Sequence, residues 1–201
     1  MVLFSGLKRE TSLNLEMNKV VFLGDSGVGK TSIINMKINN TFDVTEPITI
    51  GSASSVITVD VWSTAVSMTI WDTAGQERYR SMAGNFVRNA KFGVIVGDIT
   101  QQSSLDSIDN WIDTLHQWDG SIPYLIVINK TDLMSSKQSI LNSKREQLMS
   151  KYKNVLFVSA LLGTNIDAVF DYAAKETLRS QSSEDHKVVD MQDDKPKKKC
   201  C

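Results

Sequence analysis

The sequence predicts an α/β protein with a doubly wound, six-stranded and mostly parallel sheet that contains one antiparallel strand. Two observations lead to this fold class. Short runs rich in Val and Ile, as expected of strands buried on both faces of a parallel sheet, alternate with segments of helical periodicity. Two runs, Val56–Trp62 and Ser67–Trp71, are separated by only four residues, which predicts one antiparallel hairpin.

The elements follow from these patterns in chain order. The predicted strands cover Val20–Leu23, Val56–Trp62, Ser67–Trp71, Phe92–Asp98, Tyr124–Asn129 and Val155–Ser159. The predicted helices cover Lys30–Asn39, Glu77–Asn89, Ser103–Trp118, Gln138–Tyr152 and Asn165–Arg179. The third helix has the clearest pattern, because its apolar residues recur at the spacing of one helical face.

The length and composition indicate one globular domain with extensions. The chain has 201 residues, and its 22 basic and 23 acidic side chains leave a net charge of −1. Such a charge argues against a nucleic-acid-binding protein that works through a basic excess. No apolar run approaches the roughly 20 residues of a membrane-spanning helix. The only two cysteines, Cys200 and Cys201, are adjacent and cannot form a structural disulfide framework.

Changes in composition divide the chain into three parts. Residues 1–16 form a short polar extension, which we expect to be flexible, and residues 17–179 carry the strand and helix patterns. Residues 180–201 are rich in Ser, Gln, Asp and Lys and contain no aromatic residue, so we expect this tail to be disordered.

A phosphate-binding loop is the strongest motif. The segment Gly24–Thr31 reads GDSGVGKT and matches G-x-x-x-x-G-K-[ST] between a predicted strand and a predicted helix. Its glycines and the helix N-terminus aim N–H groups at phosphate oxygens, Lys30 can reach the terminal phosphates, and Thr31 can ligate Mg²⁺. The alternative is a glycine-rich turn that matches by accident. The predicted nucleotide contacts here are Asp25, Ser26, Gly27, Val28, Gly29, Lys30, Thr31 and Ser32.

A second motif indicates which base is bound. Asn129, Lys130 and Asp132 form N-K-x-D at the end of a predicted strand. The Asp132 carboxylate can accept from the ring N–H and the exocyclic amine of guanine, whereas adenine offers no such pair of donors. Alone the motif is weak and a solvated loop would explain it better, but together with the phosphate loop it favours a guanine nucleotide.

A third motif, Asp72–Gln76, supplies groups for hydrolysis. Asp72 ends a predicted strand and can hold Mg²⁺, Gly75 can place its N–H near the γ-phosphate, and Gln76 can orient an attacking water. The alternative is an ordinary turn at the end of a strand.

These motifs resemble the signature boxes of Ras-like small GTPases over about residues 17–179. The boxes, in the usual order and spacing, are Gly24–Thr31, Thr49, Asp72–Gln76, Asn129–Asp132 and Ser159-Ala160. Within that superfamily, the phosphate loop, Ile50-Gly51, Trp71–Tyr79, Asp98–Thr100 and the terminal Cys200-Cys201 are most similar to the Rab family.

The resemblance implies a P-loop G domain that binds GTP and GDP with Mg²⁺, hydrolyses GTP, and acts as a switch in vesicular membrane traffic. It implies that Thr49 joins Thr31 and Asp72 at Mg²⁺ when the γ-phosphate is present and that Gln76 is catalytic. It also implies that Phe42 packs against the guanine edge and that the Ala160 N–H meets the guanine carbonyl oxygen. Ser159 and Leu161 are assigned to the nucleotide site with Ala160.

The resemblance further implies regulators, effectors and a lipid anchor. Thr41–Thr49 contains no Arg, so we expect slow hydrolysis that an activating protein accelerates. Other expected partners are an exchange factor, effectors, and prenylation and extraction chaperones, with no nucleic acid, and we expect a monomer. Cys200 and Cys201 resemble the family's geranylgeranylation site, with Lys195–Lys199 nearby to favour an anionic leaflet. The expected location is the cytoplasmic face of an intracellular membrane, with cycling through the cytosol.

Two departures and two alternatives accompany this interpretation. Ser54 stands where Rab proteins usually carry an aromatic of a partner-binding patch, and Gly97 stands where Tyr is usual. The altered patch motivates one alternative, a tether that holds nucleotide with little turnover. The other, a P-loop kinase acting on a small molecule, lacks the Arg-bearing insertion that its lid would need.

Overall fold

The computed structural model describes residues 18–45, 47, 49, 51–74, 86–117 and 120–190. Its strands are β1 Lys19–Leu23, β2 Ser52–Val61, β3 Thr64–Thr73, β4 Phe92–Asp98, β5 Tyr124–Asn129 and β6 Val155–Phe157. They form a six-stranded sheet in the order β2-β3-β1-β4-β5-β6. Among the pairs of described strands, only β2–β3 is antiparallel. This confirms the predicted fold class.

Helices connect the strands. They are α1 Lys30–Asn39, α2 Gln102–Asp106, α3 Ile108–His116, α4 Gln138–Lys151 and α5 Ile166–Asp190, with a 3-10 helix at Thr131–Lys137. None of the helices in the described ranges is both long enough and apolar enough to cross a bilayer.

Two apolar cores lie on opposite faces of the sheet. Side chains alternate along β1, so that Val20 and Phe22 belong to one core while Val21 and Leu23 belong to the other. Because the two cores cover both faces of the sheet, β4 is buried at every residue. This burial explains the continuous apolar run in its sequence. The first core includes residues of α1 and α5, and the second includes residues of α3 and α4.

The sheet topology fixes where a ligand would bind. β1 lies between β3 and β4, so the chain reverses its direction of progress across the sheet at this strand. In open α/β sheets, ligands bind beyond the carboxyl ends of the strands at such a switch point. β1, β3, β4 and β5 are parallel, and therefore the segments after Leu23, Thr73, Asp98 and Asn129 meet at one edge.

The hairpin is tighter than the sequence predicted. Val61 pairs with Thr64, so the turn contains only Trp62 and Ser63 instead of the four residues Ser63–Val66. Both turn residues have positive φ, 47° and 67°, as in the two-residue turns that match the twist of a hairpin. Neither is Gly or Asn, and this is why the local sequence did not indicate the turn.

The predicted helix Ser103–Trp118 is divided into α2 and α3 at Ser107. The Ser107 hydroxyl lies 2.8 Å from the carbonyl oxygen of Ser103, a back-bonding arrangement that bends helices. The predicted strand Val155–Ser159 is shorter, ending at Phe157, and Ser159 forms an isolated bridge with Thr164.

The last helix is longer than predicted, because α5 continues to Asp190 rather than ending at Arg179. The expectation of disorder from Ser180 is therefore wrong for residues 180–190. The physical reason is the absence of a helix breaker, since the first Pro after α5 begins is Pro196 and this stretch has no Gly. Residues 191–201 lie outside the described residues, as do residues 1–16 and most of the predicted helix Glu77–Asn89.

Candidate nucleotide-binding site

A cavity of about 470 Å³ opens at the carboxyl edge of the sheet, beside the switch point. Its size suits a ligand of a few hundred daltons. The residues that line it come from the loop after β1, the start of α1, the segment after α1, the last residues of β3 and β5, and the segments after β5 and β6. They are Ser26, Gly27, Gly29, Lys30, Thr31, Ser32, Phe42, Asp43, Val44, Pro47, Thr49, Thr73, Asn129, Lys130, Asp132, Leu133, Ala160 and Leu161.

The loop between β1 and α1 depends on two glycines. Gly24 has φ of 144°, and a Cβ there would lie 2.3 Å from the carbonyl oxygen of Val96 on β4. Gly29 has φ of 96°, and its Cβ would lie 2.3 Å from Nδ2 of Asn129. The loop thus passes closer to its neighbours than any side chain permits, and α1 begins directly at the cavity.

Lys30 is buried at the base of this loop. Its Nζ donates to the carbonyl oxygens of Gly24 at 2.8 Å and Asp25 at 2.9 Å. Burial lowers the pKa of Lys30 to about 8, and the negative charges of Asp72 and Asp25 oppose that shift. A buried ammonium is favourable only beside negative charge, so this group is suited to a bound phosphate.

Asn129 and Lys130 support the loop. Asn129 donates from Nδ2 to the carbonyl oxygen of Val28 at 3.0 Å. Lys130 donates to the carbonyl oxygen of Gly27 at 2.7 Å and forms an ion pair with Asp98 at 2.8 Å. The N-K-x-D motif therefore joins the end of β5 to the phosphate loop, besides lining the cavity.

The far end of the cavity carries the groups expected around a base. Ser159 donates to Oδ1 of Asp132 at 2.5 Å, which fixes the carboxylate at the rim. The apolar side chains of Phe42 and Leu161 also line the cavity. The backbone N–H of Ala160 donates to Oδ1 of Asn129 at 3.1 Å, so its assignment to a guanine carbonyl stays a prediction.

Three oxygen-bearing side chains meet at the phosphate end. Thr31 donates to Oδ2 of Asp72 at 2.6 Å, and the hydroxyl oxygens of Thr31 and Thr49 are 3.0 Å apart. Oδ1 of Asp72 is buried and has no hydrogen-bond partner among the described residues. Burial raises the pKa of Asp72, against the hydrogen bonds from Thr31 and Thr49 and the charge of Lys30. Hard oxygen donors around an unsatisfied carboxylate oxygen fit Mg²⁺.

The structure brings together most of the predicted site residues, but not all of them line the cavity. Asp25, Val28, Asp72 and Ser159 are not among the lining residues and contact other protein groups instead. Gly75, Gln76, Cys200 and Cys201 lie outside the described residues. The lining residues that sequence reasoning missed are Asp43, Val44, Pro47, Thr73 and Leu133. All five lie within two positions of a predicted residue in the sequence, which was the available signal.

The two departures noted in the sequence have visible surroundings. Ser54 is exposed on β2 and pairs with Trp71 on β3, so no aromatic side chain faces Trp71 at this pair. A Cβ on Gly97 would lie 3.2 Å from Leu105, 3.4 Å from Ile128 and 3.7 Å from Ile108. The space beside Gly97 is thus filled by apolar side chains of α2, β5 and α3.

Comparisons with known proteins agree with this geometry. A family model described as the Ras family matches residues 19–179. The chain is similar to Ras-related protein Rab-7b of Paramecium octaurelia, with 35% identity over 177 residues that cover 85% of each chain. It is 33% identical to Ras-related protein RABG3c of Arabidopsis thaliana over 183 residues, covering 87% of this chain and 89% of the relative. It is also 35% identical over 187 residues to the Ypt/Rab-type GTPase avaA of Emericella nidulans.

Proposed function

Because this chain belongs to the Rab family of Ras-like small GTPases, we propose that the cavity at the carboxyl edge of its sheet is where GTP and GDP bind. The family establishes the coarse function, a GTP hydrolase of membrane traffic that binds guanine nucleotide and works with regulators and effectors on intracellular membranes. The observation that carries the assignment of the site is the continuous lining from Lys30 to Asp132.

In the proposed arrangement, the phosphates lie against the loop after β1 and the base lies against Asp132. Lys30 offers its ammonium to the terminal phosphates, and the N–H groups at the start of α1 point toward them. The Asp132 carboxylate, held by Ser159, accepts from two guanine donors. Adenine would leave that carboxylate unpaired, which opposes its binding.

We assign Mg²⁺ to the cluster of Thr31, Thr49 and Asp72, where it would neutralise charge on the phosphates. Thr49 lies in the segment between α1 and β2, whereas Thr31 belongs to α1 and Asp72 to β3. Its contact with Thr31 therefore ties a loop to the rigid part of the fold. Loss of that contact on hydrolysis would release the loop, which is the order–disorder form of a switch.

Hydrolysis is assigned to Gln76, which would orient the attacking water. The absence of Arg from Thr41–Thr49 supports slow intrinsic turnover and an activating protein that supplies one. We expect Gln76→Leu to bind GTP nearly as well as the wild type and to lose stimulated hydrolysis. Single-turnover hydrolysis of bound GTP measures this, with Gln102→Leu on the surface as the matched control.

Two results would contradict this assignment. Stimulated hydrolysis at the wild-type rate in Gln76→Leu would remove the role of Gln76. A wild-type protein that completes no turnover of bound GTP would favour the alternative of a nucleotide-bound tether.

We also propose the division into a flexible extension (1–16), a G domain (17–179) and a tail (180–201) that ends in two prenylated cysteines. Two lipid chains anchor a protein stably where one does so marginally. Replacing both cysteines, in Cys200→Ser/Cys201→Ser, should abolish membrane association in cells without changing bound nucleotide. Intact-mass measurement of the membrane-bound wild type should show two added lipids, and unmodified thiols there would contradict the proposal.

A further inference from the structure

The side chain of Asp25 is the one acidic group within the phosphate loop, and it points away from the cavity. Its Oδ1 accepts from Nε1 of Trp111 at 2.8 Å. Its Oδ2 lies 2.8 Å from the hydroxyl of Ser107. Ser107 is the residue between α2 and α3, and Trp111 lies within α3.

These contacts are built into the fold. Trp111 is only 2% exposed and belongs to the second core, so its indole N–H is held in a fixed direction. The Ser107 hydroxyl is also 2.8 Å from the carbonyl oxygen of Ser103, and its single proton can go to only one acceptor at a time. The charged carboxylate is the stronger acceptor of the two.

The backbone of Asp25 touches the phosphate-binding machinery directly. Its carbonyl oxygen accepts from the Lys30 ammonium at 2.9 Å, beside the carbonyl oxygen of Gly24 at 2.8 Å. Fixing the side chain on α3 fixes the Asp25 peptide unit and thus the position of Lys30. It also keeps a carboxylate from turning toward bound phosphates, which it would repel.

Resting on the nucleotide site proposed above, we propose that Trp111 and Ser107 are positioning residues for phosphate binding, which act through Asp25 on Lys30. Their effect falls on the binding of the β-phosphate and, in GTP, of the γ-phosphate, because the lysine of such a loop reaches these two groups. The rest of the nucleotide, the guanine and ribose, depends on groups on the other side of the cavity. Supporting contacts of this kind decide how well a binding group is preorganised.

The test compares GDP with GMP, which lacks the β-phosphate. Affinities of both nucleotides are measured by competition against a fluorescent GDP derivative, for the full chain with Ser107→Ala, Trp111→Phe, or both. Thr114→Val is the matched control, because its hydroxyl bonds to the carbonyl oxygen of Asn110 on the same helix, away from the loop. We expect the double variant to lose about tenfold in GDP affinity and less than about twofold in GMP affinity.

A second set of variants uses Asp25→Ala, which lacks the carboxylate that Trp111 and Ser107 contact. Adding Ser107→Ala to that variant should leave the GDP-to-GMP affinity ratio unchanged. Ser107→Ala creates almost no cavity, so it keeps the test valid if Trp111→Phe fails to fold. An unchanged ratio in Ser107→Ala alone, equal losses for GDP and GMP, or the same loss in Thr114→Val would overturn the proposal.

Discussion

Gly29 illustrates how closely the phosphate loop is fitted to the residue that supports it. A methyl group at this position would occupy the space of the Asn129 amide, 2.3 Å from Nδ2, and would displace its bond to Val28. Gly27, two residues earlier, also has positive φ, 75°, but apart from its chain neighbours no atom of the described residues lies within 4 Å of the place where its Cβ would be. Comparing the same substitution at the two positions therefore separates the cost of a side chain at positive φ from the cost of a steric clash.

We expect Gly29→Ala to lower the free energy of unfolding by about 1–3 kcal/mol more than Gly27→Ala. The excess is the buried hydrogen bond lost at Asn129, because both variants share the cost of a side chain at positive φ. Urea unfolding of both proteins after removal of nucleotide measures the difference. Equal destabilisation would mean that Asn129 moves without cost.

Asp98 is a buried carboxylate whose charge is compensated by its neighbours. Oδ1 accepts from the backbone N–H and the hydroxyl of Thr100, and Oδ2 pairs with Lys130. Burial alone would raise the pKa of Asp98, but the hydrogen bonds from Lys130 and Thr100, with the charge of Lys130, hold it below the usual value. The folded state thus favours the ionised form.

A pKa that is lower in the folded than in the unfolded state adds stability above the ordinary value of about 4. That stability is lost as the pH falls through the lowered pKa. Asp98→Asn should therefore be less stable than the wild type at pH 7, by about 2 kcal/mol. The difference should shrink as the pH falls from about 5 to 3.

Chemical unfolding at several pH values, with nucleotide removed, measures the effect. Asp60→Asn, on the exposed part of β2, is the control and should stay within about 0.5 kcal/mol of the wild type. A constant difference between wild type and Asp98→Asn across that pH range would contradict the proposed electrostatic role.

In the β2–β3 hairpin, the pairing of the two strands imposes the conformation of the turn. Its ten-residue strands pair fully in register, and the turn residues Trp62 and Ser63 accept left-handed conformations to let them do so. Trp62 is 66% exposed, so burial of its side chain does little to offset the strain of its positive φ. Pairing along the whole ladder outweighs the local cost of the turn.

Replacing the turn with the residues it favours should relieve that cost. We expect Trp62→Asn/Ser63→Gly to raise the free energy of unfolding by about 1 kcal/mol, since Asn-Gly adopts positive φ readily. Ser63→Ala is the matched control and should give no gain, because Ala meets the same strain. The check is thermal or urea unfolding, and a loss of stability in the double variant would show that the Trp62 side chain matters.

Nucleotide binding should stabilise the folded state of the whole molecule against unfolding. The cavity is formed by segments that are distant in sequence and close only in the folded chain, such as Lys30 and Asp132. A ligand of this cavity binds the folded state alone. GDP at 1,000 times its dissociation constant should raise the free energy of unfolding by about 4 kcal/mol.

Adenine nucleotides provide the control for that measurement. ADP at the same concentration, with Mg²⁺ present in both samples, should give little stabilisation because the Asp132 carboxylate would lose its two donors. The melting temperature as a function of nucleotide concentration gives both values. Equal stabilisation by ADP would show that the base contributes nothing to recognition.

The sequence by itself determined the fold class, the order of the strands in the chain, and the position of the phosphate loop. Buried strands are recognised by their continuous apolar runs, as in β4 and β5, and the phosphate loop by its spaced glycines followed by Lys30 and Thr31. These patterns are local, so they can be recognised without knowing which residues contact them in the folded chain. The same locality explains the errors at the hairpin, at Ser107 and at the end of α5.

Only the tertiary structure decided which side chains support the site. Nothing near Asp25 in sequence indicates that its carboxylate is bound by Trp111, or that Lys130 joins Gly27 to Asp98. These contacts join residues that are up to about a hundred positions apart, and they exist because parallel strands bring their carboxyl ends to one edge of the sheet. Local sequence encodes the groups that bind, whereas their positions depend on packing across the sheet.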